Sequence, residues 1–344
     1  MVRYVPILKW KEAERNALRY LQEDVKSAIC PVICVTKNVE VDSFPAQVIK
    51  NWGPNRQFYL DFHPTFADNP CTFIEALSGE SECQQLSMIP VFSVDKPDGY
   101  LEAISDNQHL FDDIVALRIG CQDIENLEDI KEHVLDKLRT KAKDIDIILD
   151  LGQLPQGTGD LSALLATMVS SALTSILPKT TARTFIVAAT SFPETLRVTR
   201  NEVSKLCRHE WLVWKAIHRK YPDVVFGDYG CDDPQDIEYP PGITIVPTIR
   251  YTKGDYWFIV RGAYDPRAPY DYAQYHSLSR KLIAMADVYC GKDYSWGDAK
   301  IYNCATRECD GSSGCHGNQK TWLEISMNHH LTYVARETAR FGVS

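Results

Sequence analysis

Short apolar runs alternate with longer amphipathic stretches along most of the chain. The runs Val5–Lys9, Cys30–Val35, Phe58–Phe62, Ile89–Val94, Ile114–Ile119, Ile145–Leu149, Thr184–Ala189 and Val224–Phe226 have the length of strands. Their near-continuous apolar character suits strands covered on both faces, as in a parallel sheet. Between them, Lys11–Ala28 places Ala13, Ala17, Leu18, Leu21 and Val25 on one helical face. Leu127–Thr140 and Leu161–Leu177 also read as helices, the second stopped by Pro178. Asn201–Lys220, with Val203, Leu206, Trp211, Trp214 and Ile217, reads as the clearest amphipathic helix. Eight strands alternating with helices imply right-handed crossovers. The expected fold is therefore α/β, a (β/α)8 TIM-like barrel, with an open doubly wound sheet as the alternative.

The pattern changes after the eighth strand. Ile243–Thr252 and Tyr256–Gly262 flank Lys253-Gly254-Asp255 and predict a β-hairpin. Gln274–Tyr289 is the expected closing helix of the barrel. From Cys290 onward the chain is rich in Gly, Ser, Cys, His and Trp and lacks a period until a last helix near Leu331–Phe341. The expected plan is a barrel over residues 1–290, with a hairpin insertion at 243–263, and a Cys/His-rich C-terminal extension over 291–344 packed on it.

Composition narrows the class further. The 344 residues carry a net charge of −9, an acidic balance that argues against nucleic acid as a direct ligand. No stretch reaches membrane-spanning length and no export leader is read, so the expectation is a cytoplasmic protein without a membrane partner. The eleven cysteines are then expected to be reduced. Phosphate-loop, dinucleotide, zinc-protease and nucleophile-elbow motifs are missing from the sequence.

In such barrels the working face lies at the C-terminal ends of the strands. Lys9 and Lys11 follow strand one, Asp61 and His63 strand three, and Asp95 strand four. Arg118 lies in strand five, Asp150 ends strand six and Ser191 follows strand seven. Asp228 and Tyr229 end strand eight, with Arg250 in the hairpin beyond. Charges inside apolar runs must be paired, and Arg118 with Asp150, or Lys9 with Asp228, are the expected partners. Such pairs either close the top of the barrel or form a mixed-charge pocket. In a pocket, the cations would hold a phosphate or carboxylate, and Asp61, Asp150 and Asp228 would bind a metal or act as a base.

Cys304, Cys309, Cys315 and His316 fall close together in the tail. Thiolates with an imidazole suit tetrahedral zinc, although Cys-x4-Cys-x5-Cys-His is not the usual knuckle spacing. Free thiols in an irregular segment are the other reading.

The opening Tyr4-Val5-Pro6-Ile7-Leu8-Lys9-Trp10-Lys11-Glu12-Ala13-Glu14-Arg15-Asn16-Ala17-Leu18 resembles the start of the beta family proteins, named for the beta protein of the gop–beta–cll locus of satellite phages. Phe226-Gly227-Asp228-Tyr229-Gly230, Ser295-Trp296-Gly297-Asp298, and Trp322 with Asn328-His329-His330-Leu331-Thr332 are similar to its later motifs. Ala13 stands where the family's Lys-x-Gly-Glu carries Gly. The resemblance points to Lys9, Lys11, Glu14, Asp228, Tyr229, Trp296, Asp298, His329 and His330 as site residues. It brings no catalytic mechanism with it. It implies an accessory or immunity component of an anti-phage system, antitoxin-like, that binds and restrains a toxic protein effector from the same locus. The residues themselves suggest the alternative, a barrel enzyme, with or without a metal, acting on a phosphorylated or nucleotide-like ligand.

Overall fold

The computed structural model describes residues 2–66, 69–138, 144–157, 159–196, 202–235, 246–265, 267, 271–308 and 316–341. The strands are β1 (Tyr4–Lys9), β2 (Val32–Val35), β3 (Gln57–Phe62), β4 (Ser87–Phe92), β5 (Val115–Ile119), β6 (Ile145–Gln153), β7 (Thr184–Thr190), β8 (Val203–Cys207), β9 (Val224–Asp228), β10 (Thr248–Lys253) and β11 (Tyr256–Arg261). The helices are α1 (Glu12–Arg19), α2 (Glu23–Ala28), α3 (Phe44–Asn51), α4 (Pro70–Leu77), α5 (Tyr100–Asp106), α6 (Leu127–Leu138), α7 (Gly159–Ile176), α8 (His209–His218), α9 (Gln274–Ile283), α10 (Trp296–Thr306) and α11 (Gln319–Phe341).

Strands β1 to β7 and β9 close a parallel barrel, β9 pairing back onto β1 through Val5 opposite Gly227. The apolar runs explain why both strand faces are covered. Alternate residues such as Val5, Ile7, Val32, Tyr59, Ala116 and Ile148 fill the interior, while Leu8, Ile33, Leu60, Leu117 and Leu149 meet the surrounding helices.

Period-2 alternation also places the charge. Two residues beyond the inward Ile7, Tyr59, Ala116 and Ile148 stand Lys9, Asp61, Arg118 and Asp150, so the last inward layer at the C-terminal ends is polar.

Several expected elements differ. Lys11–Ala28 is two helices, α1 and α2, broken at Tyr20–Gln22, where Leu21 tucks into the core and Tyr20 stacks on Trp296. The segment read as one helix over Asn201–Lys220 begins instead with β8. Its Val203 and Leu206 lie opposite Val260 and Trp257 of β11, so the hairpin β10–β11 becomes a three-stranded antiparallel sheet. The helical part starts only at His209, after the non-helical Arg208, and buries Trp211, Trp214 and Ile217 as expected.

Residues 243–245 of the expected hairpin lie outside the described residues; the strand begins at Thr248. Helix α9 ends at Ile283 and packs on the hairpin sheet and α10, not as the closing helix of the barrel. That position is filled by α11, which lies against α1, α2 and β1. It starts well before Leu331, where Asn318 accepts the backbone N–H of Thr321 at 3.1 Å. Burial on most of its circumference, from Trp322 to Ala335, removes the amphipathic period by which a surface helix is recognised.

Candidate functional site

The polar inward layer is a chain of ion pairs across the barrel mouth. Arg118 donates from Nε and Nη2 to Asp150 Oδ2 at 2.9 and 2.7 Å, the pairing expected from the sequence. Its Nη1 reaches Asp61 Oδ2 at 2.6 Å, and Tyr229 OH lies 2.7 Å from Nη2. Lys96 Nζ closes on Asp61 Oδ1 at 2.6 Å. Burial opposes ionisation of Asp61, but Lys96 and Arg118 outweigh it and hold the carboxyl below the usual range. Burial works against the charged Arg118 too, and Tyr229, Asp150 and Asp61 overcome it, raising its pKa. Asp95 of the same loop is exposed and turns to Ser93, so Lys96 is the residue this loop contributes.

A second set sits beside the first. Lys9 does not pair with Asp228. Its Nζ donates to Asp232 Oδ2 at 3.1 Å, Asp233 O at 2.6 Å and Gln235 O at 3.1 Å. Arg250 Nη1 meets Asp232 Oδ1 at 2.6 Å, with its guanidinium 5.0 Å over the Phe192 ring. Burial would raise the Asp232 carboxyl, but Arg250 and Lys9 bring it down to about 2. The double acid Asp232-Asp233, in the loop that follows strand β9, was the sequence signal for this cluster.

Between the two sets lies a cavity of about 150 Å³ walled by Lys9, Glu14, His63, Arg118, Tyr229 and Asp233, among others. His63 is held by Thr65 Oγ1 at 2.8 Å and Pro234 O at 3.0 Å. Glu14 projects from the first turn of α1 with 1% exposure, and its Oε2 has no hydrogen-bond partner. Burial, only partly offset by Lys9, lifts its carboxyl to about 7. Asp233 Oδ2 is likewise buried and unpartnered, and burial raises its carboxyl. Lys11, one residue before α1, is half-buried and is not among the residues lining this cavity.

The remaining expected residues do not join the mouth. On β9, Val224 and Phe226 face the helices, so Asp228 does too. It accepts from Tyr4 OH at 2.5 Å and from the backbone of Gly230 at 3.0 Å, and its Oδ2 pairs with His330 Nε2 at 2.9 Å. His330 Nδ1 contacts Thr252 Oγ1 at 2.7 Å. His329 bridges Asp298 Oδ2 and Thr252 O at 2.8 Å each. Gly297 lets α10 approach α11 closely, since a Cβ there would lie 2.4 Å from Ile325 O, and Asn328 accepts the Gly297 N–H at 2.9 Å. Ser191 is buried against Cys207 O and Glu210.

Asp228, Asp298, His329 and His330 thus form a buried seam that fastens α10, α11 and the hairpin to the barrel, away from the residues that line the mouth cavity. Asp228→Asn is accordingly expected to lower stability by about 1–3 kcal/mol, read as an earlier midpoint in urea unfolding.

Asp61 and Asp150 meet on Arg118 while Asp228 lies apart with Tyr4 and His330, and among the described residues no group of three or more His, Cys, Asp or Glu is arranged to hold a metal. Cys309 and Cys315 lie outside the described residues. Cys304 Sγ sits 3.5 Å from His276 Nδ1, and the His276 and His316 ring centroids are 5.8 Å apart. No helix among the described residues is long and apolar enough to cross a membrane.

No curated protein matches the chain. A family model described as Beta protein matches residues 4–336, from the first barrel strand into the closing helix, and the chain belongs to that family.

Proposed function

We propose that this chain is a barrel enzyme that binds a small polar molecule at its mouth and moves a proton on it with Glu14. The observation that carries this reading is the Glu14 carboxyl itself, buried, lining the cavity, with one oxygen unpartnered. Leaving such an atom unsatisfied costs roughly 1–3 kcal/mol, which a purely structural carboxylate avoids by pairing. A carboxyl lifted to about 7 also exchanges protons most effectively near neutrality. Lys9 and Arg118, locked by their ion pairs, and Tyr229, locked by its hydrogen bond to Asp150, give the cavity rigid walls.

The test is depletion of small molecules from a metabolite extract by the purified protein, followed by mass spectrometry over about pH 5.5 to 8.5. One compound is expected to be consumed, with a rate that titrates near the Glu14 value and falls ~100-fold or more in Glu14→Gln. Equal consumption by both proteins, or none by either, refutes the reading.

Family membership supports a second reading, an accessory or immunity component of an anti-phage system that restrains a toxic protein effector. It calls for stoichiometric co-purification of a neighbouring gene product from native cells, with suppression of that product's toxicity. A protein that purifies alone and leaves toxicity unchanged removes it.

A further inference from the structure

The cations that made a phosphate or carboxylate ligand attractive are already neutralised. Lys9 Nζ has three oxygen partners, and every guanidinium nitrogen of Arg118 is within hydrogen-bonding distance of a carboxylate. Lys96 and Arg250 are likewise bound to Asp61 and Asp232. Tyr229 OH is taken by Arg118 and Asp150, and both His63 nitrogens have partners. Among the side chains of the residues lining the cavity, the buried oxygens without a hydrogen-bond partner are Glu14 Oε2 and Asp233 Oδ2.

We propose that the cavity takes a small, uncharged or cationic molecule rich in hydrogen-bond donors, a polyol or an amine, held between Glu14 Oε2 and Asp233 Oδ2. This rests on the mouth being a binding site, and it replaces the expectation of a phosphorylated ligand. An anion entering here must break an existing buried ion pair, at a cost of several kcal/mol. A hydroxyl or ammonium group breaks none and satisfies two orphaned oxygens. The volume agrees. At roughly 30 Å³ per water, about 150 Å³ is the space of about five waters, room for a compact molecule such as a small polyol or an amino alcohol. Asp233 has a reason to be where it is: its Oδ1 accepts the Gln235 N–H at 2.6 Å while its backbone carbonyl takes Lys9, which leaves Oδ2 for the ligand.

Erythritol, ethanolamine and inorganic phosphate, titrated into the full chain by calorimetry, separate the cases. Erythritol or ethanolamine is expected to bind and phosphate not. Affinity should fall about 10-fold or more in Glu14→Gln and in Asp233→Asn, the loss of one hydrogen bond to a charged group. In the unsubstituted protein, ethanolamine affinity should rise as pH increases through the Glu14 value of about 7, a readout that needs no variant. Phosphate binding that depends on Glu14 while the donor-rich probes fail overturns the ligand class and leaves the Glu14 reading standing. Absence of any Glu14-dependent binding overturns both.

Discussion

Asp61→Ala is expected to destabilise the protein by about 3–5 kcal/mol, the usual result of removing one member of a buried ion pair. Asp61 is 1% exposed and is the only carboxylate that the described contacts place on both Arg118 and Lys96. Removing it strands Lys96, whose side chain is 7% exposed, and takes one of the two carboxylates from Arg118. Removing both partners is the control. Asp61→Ala with Lys96→Met leaves fewer uncompensated charges and should recover part of the loss, which a double-mutant cycle in urea measures. The Asp61 carboxyl titrates below its ordinary value in the folded state, so its contribution is complete above the unfolded pKa near 4 and disappears as pH falls through the lower folded value. An Asp61→Ala cost that stays below ~1 kcal/mol at neutral pH would mean the mouth pairs are held no better than surface salt bridges.

Much of this arrangement was legible because strand parity carries it. Arg118 and Asp150 each interrupt an apolar run at an inward position on neighbouring strands, so their pairing follows from the register Arg118 opposite Ile148 and Ile119 opposite Leu149. The same parity, applied to Val224-Val225-Phe226-Gly227-Asp228-Tyr229, sends Asp228 out and Tyr229 in, and so rules out the Lys9–Asp228 pair. Glu14 was readable too. It lies three and four residues before Ala17 and Leu18, inside the buried stripe of α1, where a lone carboxyl is unusual. Other contacts were not readable. The Asp228–His330 pair spans 102 positions and depends on where α11 docks. Strand β8 exists because β11 offers an edge, which no local period announces. Two of the motifs carried by the family resemblance, Ser295-Trp296-Gly297-Asp298 and Asn328-His329-His330, lie away from the mouth and bond to each other across a helix–helix contact, which no local pattern in the sequence announces.

Glu14→Gln is expected to stabilise the protein at alkaline pH while removing the activity proposed for the mouth. The folded environment lifts the Glu14 carboxyl from the ordinary 4.5 to about 7 because burial disfavours the charged form. A raised folded pKa means the folded state holds the proton more tightly. The contribution of Glu14 is therefore most favourable below about pH 4.5, is lost progressively as pH rises to about 7, and leaves a constant penalty of ~3 kcal/mol above that. Glutamine does not titrate, so the variant escapes the penalty. Its stability relative to the parent should climb by ~3 kcal/mol between about pH 4.5 and pH 8, and comparison of the two proteins at each pH cancels the titrating groups that do not interact with Glu14. Chemical denaturation at matched pH values measures this directly. The same residue then carries two opposite signs, a cost to folding and a need in the cavity, as expected where a site retains a group the fold alone would discard. A flat difference across that range would place the Glu14 carboxyl at its ordinary value and return it to the structural walls of the barrel.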